Sequence, residues 1–202
     1  MKLYYSPGAC SLASHIALEE VGLAYEAVRV DLKSKKTADG RDYLAVNEKG
    51  YVPTLALDSG GVLTENAAVL TYIADQDPGG RLSPAHGSFA RYRFAEWLNF
   101  IATELHKGFG PLWHAQNPEP VKDIARTTLA KRFDYVDKRL AETPYLLGED
   151  FSAADAYLFT IANWSHILNF DLAPWPALTQ FMARVAARPA VQRAMKAEGL
   201  AT

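Results

Sequence analysis

The hydrophobic and polar positions divide the chain into two parts with different periodicities. Over residues 1–77, short β-prone or alternating runs are interleaved with stretches in which apolar side chains recur at helical spacing. Such a pattern is typical of a small mixed α/β domain. The predicted elements are, in chain order, a strand at 2–5, a helix at 9–21, a strand at 25–32, a loop or a loop with one helical turn at 33–50, strands at 52–57 and 62–63, and a helix at 65–75. Their order is therefore βαβ followed by ββα.

The second part of the chain is helical almost throughout. Residues 78–87 carry five glycines or prolines in ten positions, which is the composition of a linker. Beyond this linker the apolar spacing predicts helices at 89–113, which is long enough to bend, and at 121–140, 153–170, 175–187 and 189–198. The chain is therefore predicted to consist of an α/β domain over 1–77, a linker over 78–87 and an all-helical domain over 88–202.

Composition and charge exclude several classes of protein. The 202 residues are 49% hydrophobic and 22% charged, with a formal net charge of −2. Such a balance suits a globular chain and gives no overall field that would gather nucleic acid or an anionic membrane. Pro7, Gly8 and His15 interrupt the N-terminal stretch, and no apolar stretch approaches the ~18 residues of a membrane span. We therefore expect no nucleic-acid partner, no membrane partner and a cytoplasmic location.

Cys10 is the single cysteine, and it stands directly after a Pro-Gly turn where a helix is predicted to begin. Free N–H groups and the positive end of the helix dipole favour a thiolate at such a position, whereas the alternative is an inert, small apolar residue. One cysteine excludes an intrachain disulfide, a dithiol mechanism and a four-cysteine zinc site. No second histidine lies near His106 at helical spacing, so no metal is predicted.

Three further positions in the first part have both a structural and a ligand-binding interpretation. Pro53 marks a strand edge, a turn or a cis peptide, and a cis bond would turn the Val52 backbone outward for pairing with a peptide ligand. Glu65 and Asn66 open a helix, where they either cap it or hold the ammonium and carboxylate of a small ligand. Lys35 is either a solvated lysine or the partner of a second carboxylate.

In the long predicted helix, Asn99, Thr103 and His106 fall at i, i+4 and i+7, so they share one face. Aromatic residues flank this face along the helix. The face is therefore either a hydrated surface or the polar lining of a cleft with aromatic walls.

Ser152 and Asp155 form a capping-box pattern at the start of the helix predicted at 153–170, with Asp155 in place of the usual Glu or Gln. We interpret this pair as structural rather than catalytic. Removal of such a cap costs about 1 kcal/mol of stability.

Five segments of the chain together resemble one protein family. They are residues 1–11 (MKLYYSPGACS), 50–53 (GYVP), 63–65 (LTE), 104–107 (ELHK) and 147–155 (LGEDFSAAD). The family is the bacterial beta-class glutathione S-transferases, and the resemblance covers essentially the whole chain. Within the class the chain looks most like members encoded beside enzymes of biphenyl and aromatic-hydrocarbon degradation.

This resemblance implies a fold and a set of partners. The implied N-terminal domain is thioredoxin-like and binds glutathione, which is a co-substrate, and no metal is implied. The implied C-terminal helical domain forms the electrophile site and much of a homodimer interface.

The resemblance also implies a role for each candidate residue of the first domain. Cys10 would lie beside the glutathione sulfur and form a mixed disulfide with it. Val52 would pair through its backbone with the cysteinyl part of glutathione, next to a cis-Pro53. Glu65 and Asn66 would hold the γ-glutamyl end, although Asn66 stands where a serine is common in the family.

Further roles are implied for residues outside that set. His106 would interact with the sulfur of glutathione, and Tyr5 matches a position that is catalytic in other classes of the family but not in cysteine-type members. Additional contacts to glutathione or added positive charge would come from Lys35, Asn99, Thr103, Glu104 and Lys107.

The implied activity is conjugation of the glutathione thiolate to a hydrophobic electrophile, with a chlorinated aromatic metabolite or a dienoate as the expected substrate. Two alternatives stay open. One is glutathione-dependent thiol–disulfide exchange or reductive dehalogenation through a mixed disulfide at Cys10. The other is non-catalytic ligand binding by the same fold, which the intact set of candidate residues disfavours.

Overall fold

The computed structural model describes residues 1–200 and divides the chain into two compact units. The first unit is Met1–Ser83 together with the chain from Ala186 onward, and the second is Pro84–Val185. The break at Ser83 lies inside the predicted linker. The end of the chain differs from the predicted helical domain over 88–202, because its last helix belongs to the first unit.

The first unit is built on one five-stranded sheet. Its strands are β1 (Lys2–Tyr5), β2 (Glu26–Asp31), β3 (Lys36–Thr37), β4 (Thr54–Ala56) and β5 (Val62–Thr64). The spatial order is β3-β2-β1-β4-β5. Strand β1 pairs in parallel with β2, and the other three pairs are antiparallel.

Nine α-helices lie within residues 1–200. They are α1 (Ser11–Val21), α2 (Asn66–Asp75), α3 (Phe89–Phe100), α4 (Gly110–Trp113), α5 (Glu119–Glu142), α6 (Ala153–Ala162), α7 (Trp164–Leu168), α8 (Pro176–Ala186) and α9 (Pro189–Ala197). Together with the sheet, they confirm the predicted thioredoxin-like α/β part followed by a helical part.

The burial of the strands follows from their position in the sheet. Central β1 is buried from Leu3 to Tyr5, and Leu3 is fully buried. In β2, Val28 and Val30 are buried while Arg29 between them is exposed, as the predicted alternation requires. The central strand therefore carries the core, and the carboxyl end of β1 leads directly into the turn before α1.

The basic stretch at 33–50 is more ordered than the predicted loop. The 3-10 turn at Tyr43–Ala45 agrees with the predicted alternative of a loop with one helical turn, whereas β3 was not predicted. Tyr43 is fully buried and packs with Tyr4, Val28 and Val52 in one apolar cluster. The polar majority of this stretch indicates a loop, whereas the buried Tyr43 side chain packs it against Tyr4 and Val28 of the sheet.

Helix α9 belongs to the first unit because it packs on α1. Its residues Val191 and Ala194 are fully buried. On the same side of the unit, Arg188 pairs with Glu20 at 2.5 Å and Arg193 pairs with Glu19 at 2.7 Å. Apolar periodicity predicts where a helix lies along the chain, but it does not predict which unit the buried face of that helix packs against.

Two long predicted helices are each divided in the second unit. The helix predicted at 89–113 consists of α3, a π-helical segment at Ile101–His106, and the short α4. The helix predicted at 153–170 breaks at Asn163 between α6 and α7. A π turn adds one residue to the helical repeat, so side chains beyond it leave the face that regular α-spacing predicts.

Within residues 1–200, no helix is long and apolar enough to cross a membrane. The same range contains no group of three or more His, Cys, Asp or Glu side chains placed to hold a metal ion.

Candidate functional site

Cys10 stands at the N-cap of α1, at the end of a tight turn. The Ala9 N–H donates to the Ser6 carbonyl oxygen (3.0 Å), and Gly8 has a φ of 70°, in the left-handed region that favours glycine. The Ser11 hydroxyl accepts from the Ser6 N–H at 3.2 Å and ties the turn to the helix. The half-buried thiol is thereby held at the positive end of an 11-residue helix.

The thiol of Cys10 donates to the carbonyl oxygen of Val52, with an Sγ-to-O distance of 3.2 Å. The peptide bond between Val52 and Pro53 is cis, which decides among the edge, turn and cis interpretations of this proline. Strand β4 begins at the next residue, Thr54. The structure therefore places the thiol directly against the backbone that the sequence analysis marked as a peptide-binding edge.

Two buried side chains fix the backbone just before Val52. The Tyr43 hydroxyl and the Asn47 amide both donate to the Tyr51 carbonyl oxygen, at 2.6 and 2.8 Å. Each also lies within 3.0 Å of the Thr54 hydroxyl oxygen. Sequence reasoning singled out neither residue, and the one signal for Tyr43 was an aromatic residue inside a polar stretch.

Asn66 connects the start of α2 to Cys10. Its Oδ1 accepts from the Ser14 hydroxyl at 2.7 Å, and its Nδ2 donates to the Cys10 carbonyl oxygen at 3.0 Å. The residue is 7% exposed. The side-chain amide therefore positions Cys10, a role that the sequence analysis did not assign.

Glu65 stands at the N-cap position of α2 without capping it. Its side chain makes no capping hydrogen bond, and its carboxylate pairs instead with the Lys49 ammonium at 2.6 Å. Its backbone has a φ of 71°, which costs a non-glycine residue about 1–3 kcal/mol and is characteristic of functional positions. Since 71% of its side chain is exposed, the carboxylate is accessible to a ligand.

Lys35 lies on the loop side of the same unit. Its ammonium donates to the Gly50 carbonyl oxygen at 2.8 Å and lies 5.8 Å from the centre of the Tyr51 ring. Lys35 also has a positive φ of 56°. The structure therefore brings Lys35 to the segment just before Val52.

Tyr5 is almost fully buried. Burial, together with the negative charge of Glu198, raises the pKa of its hydroxyl above the ordinary value for tyrosine. A protonated phenol can donate a hydrogen bond but cannot serve as a base at neutral pH.

The remaining candidate residues lie in the second unit, around the π-helical segment. Asn99, Thr103 and Lys107 are exposed, and the Glu104 carboxylate pairs with Arg132 at 2.6 Å. The Asn99 amide and the Thr103 hydroxyl donate to backbone carbonyl oxygens one turn earlier in the chain. These contacts within the second unit give no indication that the four side chains bind a ligand.

His106 lies on a different face from Asn99 and Thr103, because it is the last residue of the π-helical segment. It is half-buried, and its Nδ1 lies 2.8 Å from the hydroxyl of Tyr157 on α6. Gly108 permits this path, since an added Cβ would overlap the Glu104 carbonyl oxygen. The predicted shared face is therefore wrong for His106, and the extra residue of the π turn is the reason.

Comparison with known proteins gives a consistent result over both parts of the chain. Residues 1–75 match a family model described as the glutathione S-transferase N-terminal domain, and residues 100–189 match the C-terminal domain of the same family. The curated glutathione S-transferase GstA of Escherichia coli O157:H7 is 48% identical over 99% of this chain and 100% of its own length.

Solved structures are similar over the same extent. A ternary complex of BphK, a bacterial glutathione S-transferase, is 56% identical, covers 99% of this chain and 100% of its own, and has a TM-score of 0.97. A sphingomonad glutathione S-transferase complexed with glutathione and the beta-class enzyme of Sphingomonas chungbukensis are 48% and 46% identical. Each covers 100% of both chains, with a TM-score of 0.95.

Proposed function

Because the chain belongs to the glutathione S-transferase family, and within it to the bacterial beta class related to BphK, we propose that it conjugates glutathione to hydrophobic electrophiles. The proposed glutathione site lies on the first unit, around Cys10, Val52 and Glu65. Chlorinated aromatic metabolites are the proposed electrophiles, and a homodimer in the cytoplasm is the proposed form of the enzyme.

The observation that carries this proposal is how Cys10 is held. Its thiol donates to the Val52 carbonyl oxygen at 3.2 Å, and its own carbonyl oxygen accepts from Asn66 at 3.0 Å. One residue is thereby tied both to the cis-proline segment and to the start of α2, where Glu65 stands. A backbone edge and an accessible carboxylate are features with which a γ-glutamyl-cysteinyl peptide can pair, and the Cys10 thiol stands beside them.

Each part of glutathione then has a chemical partner in the first unit. The backbone of Val52 pairs with the cysteinyl backbone as an added strand. The Glu65 carboxylate attracts the γ-glutamyl ammonium, while Lys49 and the N-terminus of α2 attract the neighbouring carboxylate. Since the Asn66 side chain is engaged with Ser14 and Cys10, the predicted contact of Asn66 is assigned to its backbone N–H at this helix start.

The reaction follows from thiol chemistry. A protonated thiol is a poor nucleophile, and the positive end of α1 favours the charged sulfur of a bound thiol. The thiol proton goes to solvent, the thiolate attacks the electrophilic carbon, and a carbon–sulfur bond forms. Where the electrophile is an aryl chloride, chloride departs with the bonding electron pair. The predicted role of His106 is to donate a hydrogen bond to this sulfur.

Thiol–disulfide exchange is the second candidate function, and the position of Cys10 favours it. The thiol is half-buried rather than enclosed, and it stands at the N-terminus of a helix. In this activity the Cys10 thiolate attacks the glutathione sulfur of a mixed disulfide, forms a disulfide with glutathione and releases the other thiol. The thiol of a second glutathione then attacks this disulfide, which releases oxidised glutathione and regenerates Cys10.

Two assays separate these functions: conjugation of glutathione to an activated aryl chloride, and reduction of a glutathione mixed disulfide. Both are measured on wild type, Cys10→Ala and Cys10→Ser. We expect both variants to lose exchange completely, because the attacking sulfur is absent. Conjugation is expected to survive within about tenfold, because the glutathione sulfur is itself the nucleophile. Wild-type protein that binds glutathione but performs neither reaction would contradict the transferase proposal and favour a ligand-binding protein.

A further inference from the structure

Tyr157 is a buried tyrosine on a helix that is otherwise almost entirely apolar. The residue is 1% exposed, and its hydroxyl lies 2.8 Å from Nδ1 of His106. Neither the motif pattern nor the family resemblance assigned it a role. A buried phenol that meets an imidazole nitrogen at hydrogen-bond distance can set the state of that imidazole.

The imidazole of His106 is held from two sides. The Tyr157 ring meets it edge to face at a centroid distance of 6.0 Å, and the Trp164 ring meets it at 4.9 Å. Trp164 is in turn packed edge to face against Phe109 and Trp113, at 5.9 and 5.3 Å. The ring orientation is therefore restrained by packing, and the hydrogen bond at Nδ1 acts on the position of the ring proton.

A neutral imidazole has one nitrogen that donates and one that accepts, so a partner that donates to Nδ1 favours the tautomer with the proton on Nε2. A phenol is a strong hydrogen-bond donor and a weak acceptor, because its oxygen lone pair is delocalised into the ring. The favourable arrangement is therefore donation from the Tyr157 hydroxyl to Nδ1, with the imidazole proton on Nε2.

We propose that Tyr157 is a positioning residue, whose hydroxyl donates to Nδ1 of His106 and holds the neutral imidazole as its Nε2–H tautomer. The consequence for catalysis rests on the proposed function. There, an Nε2–H group donates to a thiolate sulfur and stabilises it, whereas the other tautomer would present a lone pair and repel the sulfur.

Nitrogen-15 NMR of the histidine rings tests this assignment directly, at a pH above which the ring signals no longer change. His106→Gln identifies the His106 signals among those of the five histidines. In wild type we expect a pyridine-type Nδ1 and a pyrrole-type Nε2. In Tyr157→Phe, which keeps the ring and removes the hydroxyl, we expect both signals to shift toward the average of the two tautomers.

Tyr25→Phe is the matched control, because it removes a tyrosine hydroxyl that donates to Glu19 at 2.6 Å in the other unit. It should leave the His106 signals unchanged. A pyrrole-type Nδ1 in wild type, or unchanged signals in Tyr157→Phe, would overturn the assignment. Should Tyr157→Phe fail to fold, the wild-type spectrum alone decides.

Activity gives an independent measurement. We expect kcat/KM for conjugation to fall about twofold in Tyr157→Phe, because averaged tautomers leave about half of the molecules in the Nε2–H form. An inactive wild type with an Nε2–H tautomer would contradict the proposed function and support the role of Tyr157. A fully active Tyr157→Phe with averaged tautomers would overturn the catalytic consequence.

Discussion

Replacing Glu198 by alanine is expected to lower the free energy of unfolding by about 2–5 kcal/mol, because two buried hydrogen-bond partners lose their acceptor. The Glu198 carboxylate lies 2.9 Å from Nδ1 of His15, and the two side chains are 0% and 1% exposed. The same carboxylate accepts from the Gly8 N–H at 2.9 Å, in the turn that leads to Cys10. Alanine would leave both buried partners without this acceptor. Urea unfolding at a fixed protein concentration measures the loss.

Arg193→Ala is the control for that measurement, because Arg193 pairs with Glu19 between the same two helices, α1 and α9. The Arg193 side chain is 56% exposed, so its removal should cost no more than about 1 kcal/mol. Glu198→Gln keeps the volume and one acceptor oxygen, and its stability should lie between that of wild type and that of Glu198→Ala. A Glu198→Ala protein as stable as Arg193→Ala would contradict the assigned role of the carboxylate.

Replacing Asp155 by alanine is expected to cost about 2–4 kcal/mol at neutral pH, more than an ordinary helix cap. The carboxylate accepts from the N–H of Ser152 at 2.9 Å, and the Ser152 side chain accepts from the backbone N–H of Asp155; these two bonds form the predicted capping box. The carboxylate accepts from the Ser152 hydroxyl as well, at 2.6 Å. It also accepts from the Leu146 N–H at 2.9 Å, nine residues earlier in the chain. Alanine would leave these donors buried without an acceptor, and urea unfolding of the two proteins measures the cost.

The pH dependence of stability gives a second test of Asp155. Burial raises the pKa of its carboxyl from 3.8 to about 6, against the hydrogen bonds from Leu146 and Ser152, which lower it. Between these values the folded state keeps a proton that the unfolded state has lost, so stability falls as pH rises. Relative to Asp155→Asn, wild type should lose about 2 kcal/mol between pH 4 and pH 7. A constant difference across that range would contradict the raised pKa.

The fold could be predicted from the sequence wherever one periodicity dominates. Strand β1 and helices α1 and α2 were predicted within two residues of their observed bounds, because apolar spacing and turn residues such as Gly22 agree there. The sequence predicts both long helices but not their division, because a π turn and a break at Asn163 leave the apolar content of each stretch unchanged. The placement of α9 on α1 depends on long-range pairs such as that of His15 with Glu198, which no local pattern shows.

The candidate site was predictable as residue types but not as geometry. Cys10 and Val52 were marked separately, and the structure joins them by one hydrogen bond. The positioning residues were missed because their roles arise from tertiary contact: Asn47 and Tyr43 hold the backbone before Val52, and Tyr157 meets His106 from α6. Asn66 was marked for a ligand, whereas its side chain is engaged in holding Cys10.

Calorimetric titration of glutathione into wild type and Glu65→Gln tests the central claim most directly, with the analogue lacking the γ-glutamyl amino group as a second ligand. We expect wild type to bind glutathione at least about tenfold more tightly than Glu65→Gln, since one charge-assisted hydrogen bond is lost. Both proteins should bind the analogue equally and weakly. Glu26→Gln, at a surface carboxylate paired with Lys2 at 2.8 Å, should bind like wild type. Equal affinity of wild type and Glu65→Gln for glutathione, or no binding to wild type, would contradict the proposed site.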